Sequence, residues 1–396
     1  MYKWILIGVL LRILVMPFFA HPDIVWINAG PSQLSNRIWN IYSHHGDGQN
    51  IHLFKYPPLT YFILGINYFA FKPFLHNIEY FDNLKDFNTF NDWMINPGIF
   101  QSLFFLKLIF LFADAAIGFL LYFTFKENYN TTIKYWALSP LALYSVFMYG
   151  QFDILPAAFI IGAIFLFRKE RFEYCFLLLG IGGMMKHFPF LTLPVFLLCV
   201  PCGFGKKIVL SAISIFPYIF LSLPFLNSRS FIEDVFINSS GYLTSMRYFL
   251  AGYIAIIFIN FITTFFFKVD RFYCLIKFSY LILSYYLICS EFHPQFIIWI
   301  APLIYVLINE SNRKYYYLFI IAYFIYINNW GRNSTWILLN PLDSELTLMP
   351  SINAVIEKFA NYELIIKSAK YIINILLVVF LFSKIKISKT IKKKYA

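Results

Sequence analysis

The sequence predicts an all-α polytopic membrane protein, and three observations carry the prediction. Of its 396 residues 60% are hydrophobic and only 13% charged, where a soluble domain carries about a quarter charged residues. Apolar runs long enough for spanning helices recur along the whole chain, the pattern selected by a bilayer core of ~30 Å. The basic residues gather in short loops and in the tail Lys384–Lys394, as loops retained on the cytoplasmic side do. A net charge of +12 is therefore assigned to sidedness and to attraction for anionic lipid, with no nucleic acid as partner.

Taken in order, the segment from Tyr2 to Phe19 has the look of a secretory signal. Arg12 interrupts it and no small-residue cleavage site follows, so it reads as a retained first helix. Hydropathy then gives spanning candidates at 3–19, 101–124, 134–150, 154–168, 173–186, 188–203, 208–225, 249–267, 272–289, 295–309, 315–327 and 366–383, about twelve helices. The stretch 57–75, PPLTYFILGINYFAFKPFL, is also apolar enough to cross. Charge decides against it. With twelve crossings the clusters Arg168-Lys169-Glu170-Arg171, Lys206-Lys207, Lys268 with Arg271, Arg313-Lys314 and the basic tail share one side with both termini, and a thirteenth crossing would put the most basic tail outside. Segment 57–75 is expected to lie in the interface or to re-enter, with Pro57 and Pro58 setting its entry angle. One membrane-embedded domain over 1–396 is the simplest organisation, since no internal repeat, soluble domain or low-complexity linker is visible.

This topology sends the chemistry to the outer face. The first outer segment, His21 to Tyr61, is too long and too polar for a turn inside lipid. It carries Asp23, Asp47, Arg37, Lys55 and four of the seven histidines. His21, His44, His45, His52, His76, His187 and His293 all fall on or near that face, with Asp153, Lys186, Glu291, Arg332, Asp343 and Glu345. Asp23 follows the first helix closely, where lower polarity would raise its pKa and suit it to act as a general base; an ordinary solvated aspartate is the alternative. Asp153, in Tyr149-Gly150-Gln151-Phe152-Asp153, is either a boundary charge with a function or the N-cap of helix 154–168. Lys186 interrupts an apolar hairpin and needs an anionic partner, either protein such as Asp153 or a ligand phosphate, and His293 offers a second phosphate donor. Lys107 and Asp114, within one helix, read as a mutual or interhelical ion pair. The adjacent His44-His45 lacks metal-ligand spacing, so no metal is assigned. The cysteines fall in or beside apolar runs, which argues against a disulfide framework.

Together, an acid after the first helix, a long outer loop ending in KYPPLTY, and the later YGQFD, MMKHFP and HPQFIIWIAP resemble the GT-C membrane glycosyltransferases. The closest likeness is to those that use polyprenyl- or dolichyl-phosphate sugars, among them the first mannosyltransferase of glycosylphosphatidylinositol synthesis, the N-glycan precursor glucosyltransferases and prokaryotic relatives. The likeness covers about the first 200 residues and 290–303. It divides the chain into a GT-C-like module at 1–205 and a variable module at 206–396, while 226–248 and 328–364 match nothing in the pattern.

The resemblance implies a hexosyltransferase, mannose favoured, that takes sugar from a polyprenyl-phosphate donor to a lipid-linked glycan or other acceptor at the outer or lumenal face. Asp23 would be the base and Asp153 the second acid. Lys186 and His293, with Arg332, would meet the donor phosphate, and Tyr56, Pro57, Pro58 and Gln151 would shape the substrate site. Asp23 lacks the second acid found two residues on in some members, so no cofactor is required, a divalent cation being the alternative. A prokaryotic plasma membrane is favoured over the ER membrane. The competing function is a lipid or sugar transporter or flippase, which calls for internal repeats and mid-membrane sites where this chain crowds its candidates toward one face.

Overall fold

A computed structural model describes residues 2–44, 54–76, 87–125, 129–237, 245–267 and 269–383. His45, Asp47, His52, Lys268 and the Lys384–Lys394 tail lie outside the described residues, as does part of 226–248. The described chain is helical, without a β-strand. Among the described residues five helices are long and apolar enough to cross a membrane: Ile99–Thr124, Phe204–Phe225, Met246–Phe265, Arg271–Cys289 and Tyr362–Leu381. Ile154–Arg168, Phe172–Gly183 and Phe188–Cys199 are apolar but shorter.

Two expected spans are interrupted, the first at Pro140 and the second at Ile300. Within 134–150 the Tyr129–Ala137 helix stops, Ser139 accepts a hydrogen bond from the Ala142 amide at 3.0 Å, and a π-helix runs over Leu143–Met148. Pro140 has no N–H to continue the first helix. Within 295–309 a 3₁₀ turn at Pro294–Trp299 precedes the helix Ala301–Leu307. The Pro58–Phe71 helix, with Pro57 as its N-cap, has 14 residues. At ~1.5 Å per residue it reaches about 21 Å, short of the ~30 Å hydrocarbon core. It packs on Asp23–Ser32 and on the turn after it, and the Thr60 hydroxyl donates to the Met185 carbonyl at 2.6 Å.

Buried cations are absorbed mainly by helix C-termini, whose last carbonyls have no partner within the helix and carry partial negative charge. Arg12 donates to the Ala137 and Trp136 carbonyls. Lys107 donates to the Met16, Phe19 and Phe147 carbonyls, Lys277 to those of Leu381 and Ser383, and Lys370 to that of Leu287. Of the mutual or interhelical pairing expected for Lys107 and Asp114, Asp114 takes the interhelical form and pairs with Arg12, Nε to Oδ2 at 3.0 Å, while Lys107 is held by carbonyls. Sequence distance concealed it, because Arg12 and Asp114 sit on different helices.

The segment after Tyr326 is a run of 3₁₀ turns, Ile327–Ser334, Trp336–Leu339 and Ser344–Leu348. It is fastened at both edges of the site. The Tyr144 hydroxyl donates to the Ser334 carbonyl at 2.8 Å, and the Ala20 amide to the Leu338 carbonyl at 3.0 Å.

Candidate functional site

Asp23, Asp153, Lys186 and His293 all sit at junctions between helices, where the chain turns. The turn Tyr149–Asp153 organises them. Gly150 adopts φ +83, a region open to glycine, and a Cβ there would stand 3.0 Å from the Ile24 side chain. This close approach lays Gln151 against the start of the Asp23–Ser32 helix. Its Nε2 donates to Asp23 Oδ2.

Asp23 Oδ1 also lies 3.2 Å from His21 Nδ1, and the Asp23 amide donates to that nitrogen at 3.1 Å. The His21 ring stacks on Tyr149 at 3.7 Å between centroids. The Asp23 side chain stays 33% exposed. Its pKa departs from the sequence expectation. Burial does push it up, but the charge and hydrogen bond of His21, the charge of His293 and the hydrogen bond of Gln151 outweigh burial and hold it below the ordinary value. The expected rise is thus corrected: the boundary is less polar than water, yet this carboxylate has polar partners on two sides.

Two residues along the turn, Asp153 is 0% exposed and receives both oxygens' worth of bonding from Lys186, at 2.8 and 3.0 Å. The Trp299 indole N–H donates to its Oδ1. Asp153 occupies the N-cap position of Ile154–Arg168 but its side chain makes no capping bond, so the capping alternative is not what holds it. Lys186 is 17% exposed, and its ammonium is ringed by Tyr56, Phe152, Phe296 and Trp299 at 5.1–5.5 Å from their centroids. Such faces attract a cation. Tyr56 also packs edge-on against Phe152 at 4.7 Å.

His293 links the two halves: Asp23, Lys186 and His21 all act on its charge. Burial, the largest cause, brings its pKa down to about 4. Its ring is therefore neutral at neutral pH. Its ring packs on Trp330 at 4.1 Å.

The structure therefore brings together Asp23, Gln151, Asp153, Lys186, His293 and Tyr56, with Pro57 and Pro58 opening the helix beneath them. Arg332 is exposed and donates to the Thr347 carbonyl at 3.4 Å. Trp299 and His21 were not singled out from the sequence. An indole within an apolar run reads as core, and only its Nε1 contact with Asp153 marks it. Among the described residues no group of His, Cys, Asp and Glu is placed to hold a metal ion.

A cavity of about 500 Å³ is lined by His187, the residue after Lys186, with Phe190, Leu191, Leu193, Ile215, Tyr218 and Phe236. Its polar end is His187 Nε2 and the Tyr218 hydroxyl, 2.7 Å apart, and burial brings His187 down to about 4. The remaining lining is apolar.

No family model matches the chain, and no curated protein matches it. Among solved structures it is similar to the crystal structure of ArnT from Cupriavidus metallidurans in the apo state, with 10% identity and a TM-score of 0.49 over 96% of this chain and 75% of that one.

Proposed function

We propose that the chain is a membrane glycosyltransferase of the GT-C kind that moves a hexose, mannose favoured, from a polyprenyl-phosphate sugar to a lipid-linked glycan or other acceptor. The observation that carries this reading is a partly exposed carboxylate, Asp23, held ionised by His21, Gln151 and His293, with His293 close enough to feel the charges of both Asp23 and Lys186. A base, a cation and a neutral N–H donor are the groups this reaction needs.

The acceptor hydroxyl oxygen attacks the anomeric carbon while Asp23 takes its proton. The bond from that carbon to the phosphate oxygen breaks, and its electron pair leaves with the polyprenyl phosphate. Lys186 and the His293 N–H stabilise the charge that develops there. Attack from the face opposite the leaving group inverts the anomeric centre. Asp153 keeps Lys186 aimed, and the apolar cavity lined by the next residue, His187, gives the donor's prenyl chain a place.

The test is sugar transfer by the purified full-length protein in lipid nanodiscs, supplied with polyprenyl-phosphate mannose or glucose and a lipid-extract acceptor. Wild type is expected to transfer and Asp23→Asn to lose transfer while keeping its melting temperature. Full transfer by Asp23→Asn removes Asp23 as the base. Substrate movement across the bilayer without a new glycosidic bond replaces the enzyme with a transporter.

A further inference from the structure

The groups around Asp23 leave buried hydrogen-bonding atoms unused. His21 is 5% exposed and Gln151 1%. His21 Nε2, Gln151 Oε1 and Trp330 Nε1 are buried without a hydrogen-bond partner. Native interiors rarely leave such atoms unpaired.

Their chemical character can be fixed. The Asp23 carboxylate only accepts, so the Gln151 amide must present its NH₂ to it, and Oε1 remains an acceptor. His21 Nδ1 accepts from the Asp23 amide, which leaves the ring proton on Nε2. Nε2 is equally a donor when the ring is an imidazolium paired with Asp23. An indole N–H only donates. Two donors and one acceptor are thus left over: His21 Nε2 and Gln151 Oε1 on residues that touch Asp23, and Trp330 Nε1 on a ring that packs against His293.

We infer that His21, Gln151 and Trp330 are the residues that read the hydroxyls of a neutral sugar ring. The inference rests on the glycosyltransferase reading and adds to it the specificity-determining residues. A phosphate would find no use for the Gln151 acceptor. An aliphatic chain would leave all three atoms unpaired. Sugar hydroxyls both donate and accept, and the apolar C–H faces of the ring pack on aromatic rings. A site built to bond a hydroxyl strongly rejects the analogue that lacks it, because its own buried groups are then left unpaired.

The experiment measures binding to the wild-type full-length protein in nanodiscs, in the absence of acceptor lipid so that turnover does not intervene. The probes are polyprenyl phosphate, polyprenyl-phosphate mannose, its single-deoxy analogues and methyl mannoside. Polyprenyl-phosphate mannose is expected to bind at least about tenfold tighter than polyprenyl phosphate, and one deoxy analogue to lose that gain. Trp330→Phe keeps a ring against His293 and is expected to narrow the penalty for one deoxy position to within about threefold. Gln151→Met is expected to do so for another. Methyl mannoside competing with the donor sugar places the ring in the donor subsite, and methyl mannoside binding beside it places the ring in the acceptor subsite. Both results support the inference.

Equal binding of polyprenyl phosphate and its mannosyl ester, together with no methyl mannoside binding, overturns it. So do deoxy penalties that neither variant changes. Failure of the function itself reads differently: hydroxyl-dependent binding would persist while wild type forms no glycosidic bond.

Discussion

Asp23 keeps a third of its side chain accessible and is held by an imidazole and a carboxamide, whereas Asp153 is wholly buried and held by an ammonium and an indole. Both depend on one five-residue turn. The difference separates two jobs that a sequence reading assigned to acids in general. A base must exchange a proton with something outside the protein, so it needs an open face and partners that do not take its charge out of use. A carboxylate that accepts two bonds from one ammonium and a third from Trp299 has no such freedom. We therefore propose Asp153 as a positioning residue that acts through Lys186.

The largest expected effect tests that separation directly. Asp23→Asn should lower transfer about a thousandfold, within the range for loss of a general base and equal to ~4 kcal/mol of barrier. Its melting temperature should barely move, since the amide can still accept from Gln151. If Asp153→Asn lowers transfer with no loss of stability and Asp23→Asn does not, the two roles are reversed.

Asp153→Asn should act mainly on stability. Removing one partner of a buried pair costs about 3–5 kcal/mol, and the partial exposure of Lys186 reduces this to about 2–3 kcal/mol. Thermal unfolding of the purified protein reads it as a lowered Tm. The double variant Asp153→Leu with Lys186→Met should recover much of the Tm, because no unpaired charge remains, but not the transfer. Recovery of transfer would show that Lys186 is not needed at the phosphate.

A smaller change should loosen the two acids from each other. Gly150→Ala places a methyl where φ is +83 and where Ile24 stands 3.0 Å away. The backbone cost is about 1–2 kcal/mol, and relief requires the turn to withdraw from the Asp23 helix. Gln151 then loses Asp23, while Lys186 keeps Asp153. Transfer should fall about tenfold or more, with a drop in Tm smaller than that of Asp153→Asn. A variant that loses only stability would show that the Gln151 contact plays no part in catalysis.

How much of this was legible depended on distance along the chain. The helices follow from hydropathy, and Ile154–Arg168 begins and ends where its apolar run does. The interruption at Pro140 was legible in principle, since a proline ends a helix by local chemistry. Asp23, Asp153 and Lys186 were found because a charge in an apolar neighbourhood stands out. Their partners were not, because pairing is a tertiary fact: Arg12 and Asp114 are about a hundred residues apart, and Trp299 bonds to an acid on another helix. The pKa of Asp23 fails for the same reason. Depth alone argues for a rise, and only the placement of His21, His293 and Gln151 reverses it.

The pH dependence separates rate from stability. Asp23 lies below the ordinary carboxylate value and His293 at about 4, so neither titrates between about pH 5 and 8 in the folded protein. The rate per folded molecule should therefore change less than about twofold across that range on their account. Stability should not stay flat. The unfolded chain's histidines bind protons from about pH 6.5 downward, while His293 and His187 in the folded protein do not until about 4. The unfolded state takes up more protons in that window, so stability falls as pH falls from about 6.5 to 4. Asp23 contributes with its own sign: its depressed value adds stability above the unfolded carboxylate pKa, and this is lost only below about pH 4. Tm measured from pH 7 to 4.5 should decline, and His293→Asn should decline less steeply, while initial rates corrected for folded protein hold level. A rate that drops with a midpoint near 6.5 would identify a histidine as the proton acceptor and return Asp23 to a supporting role.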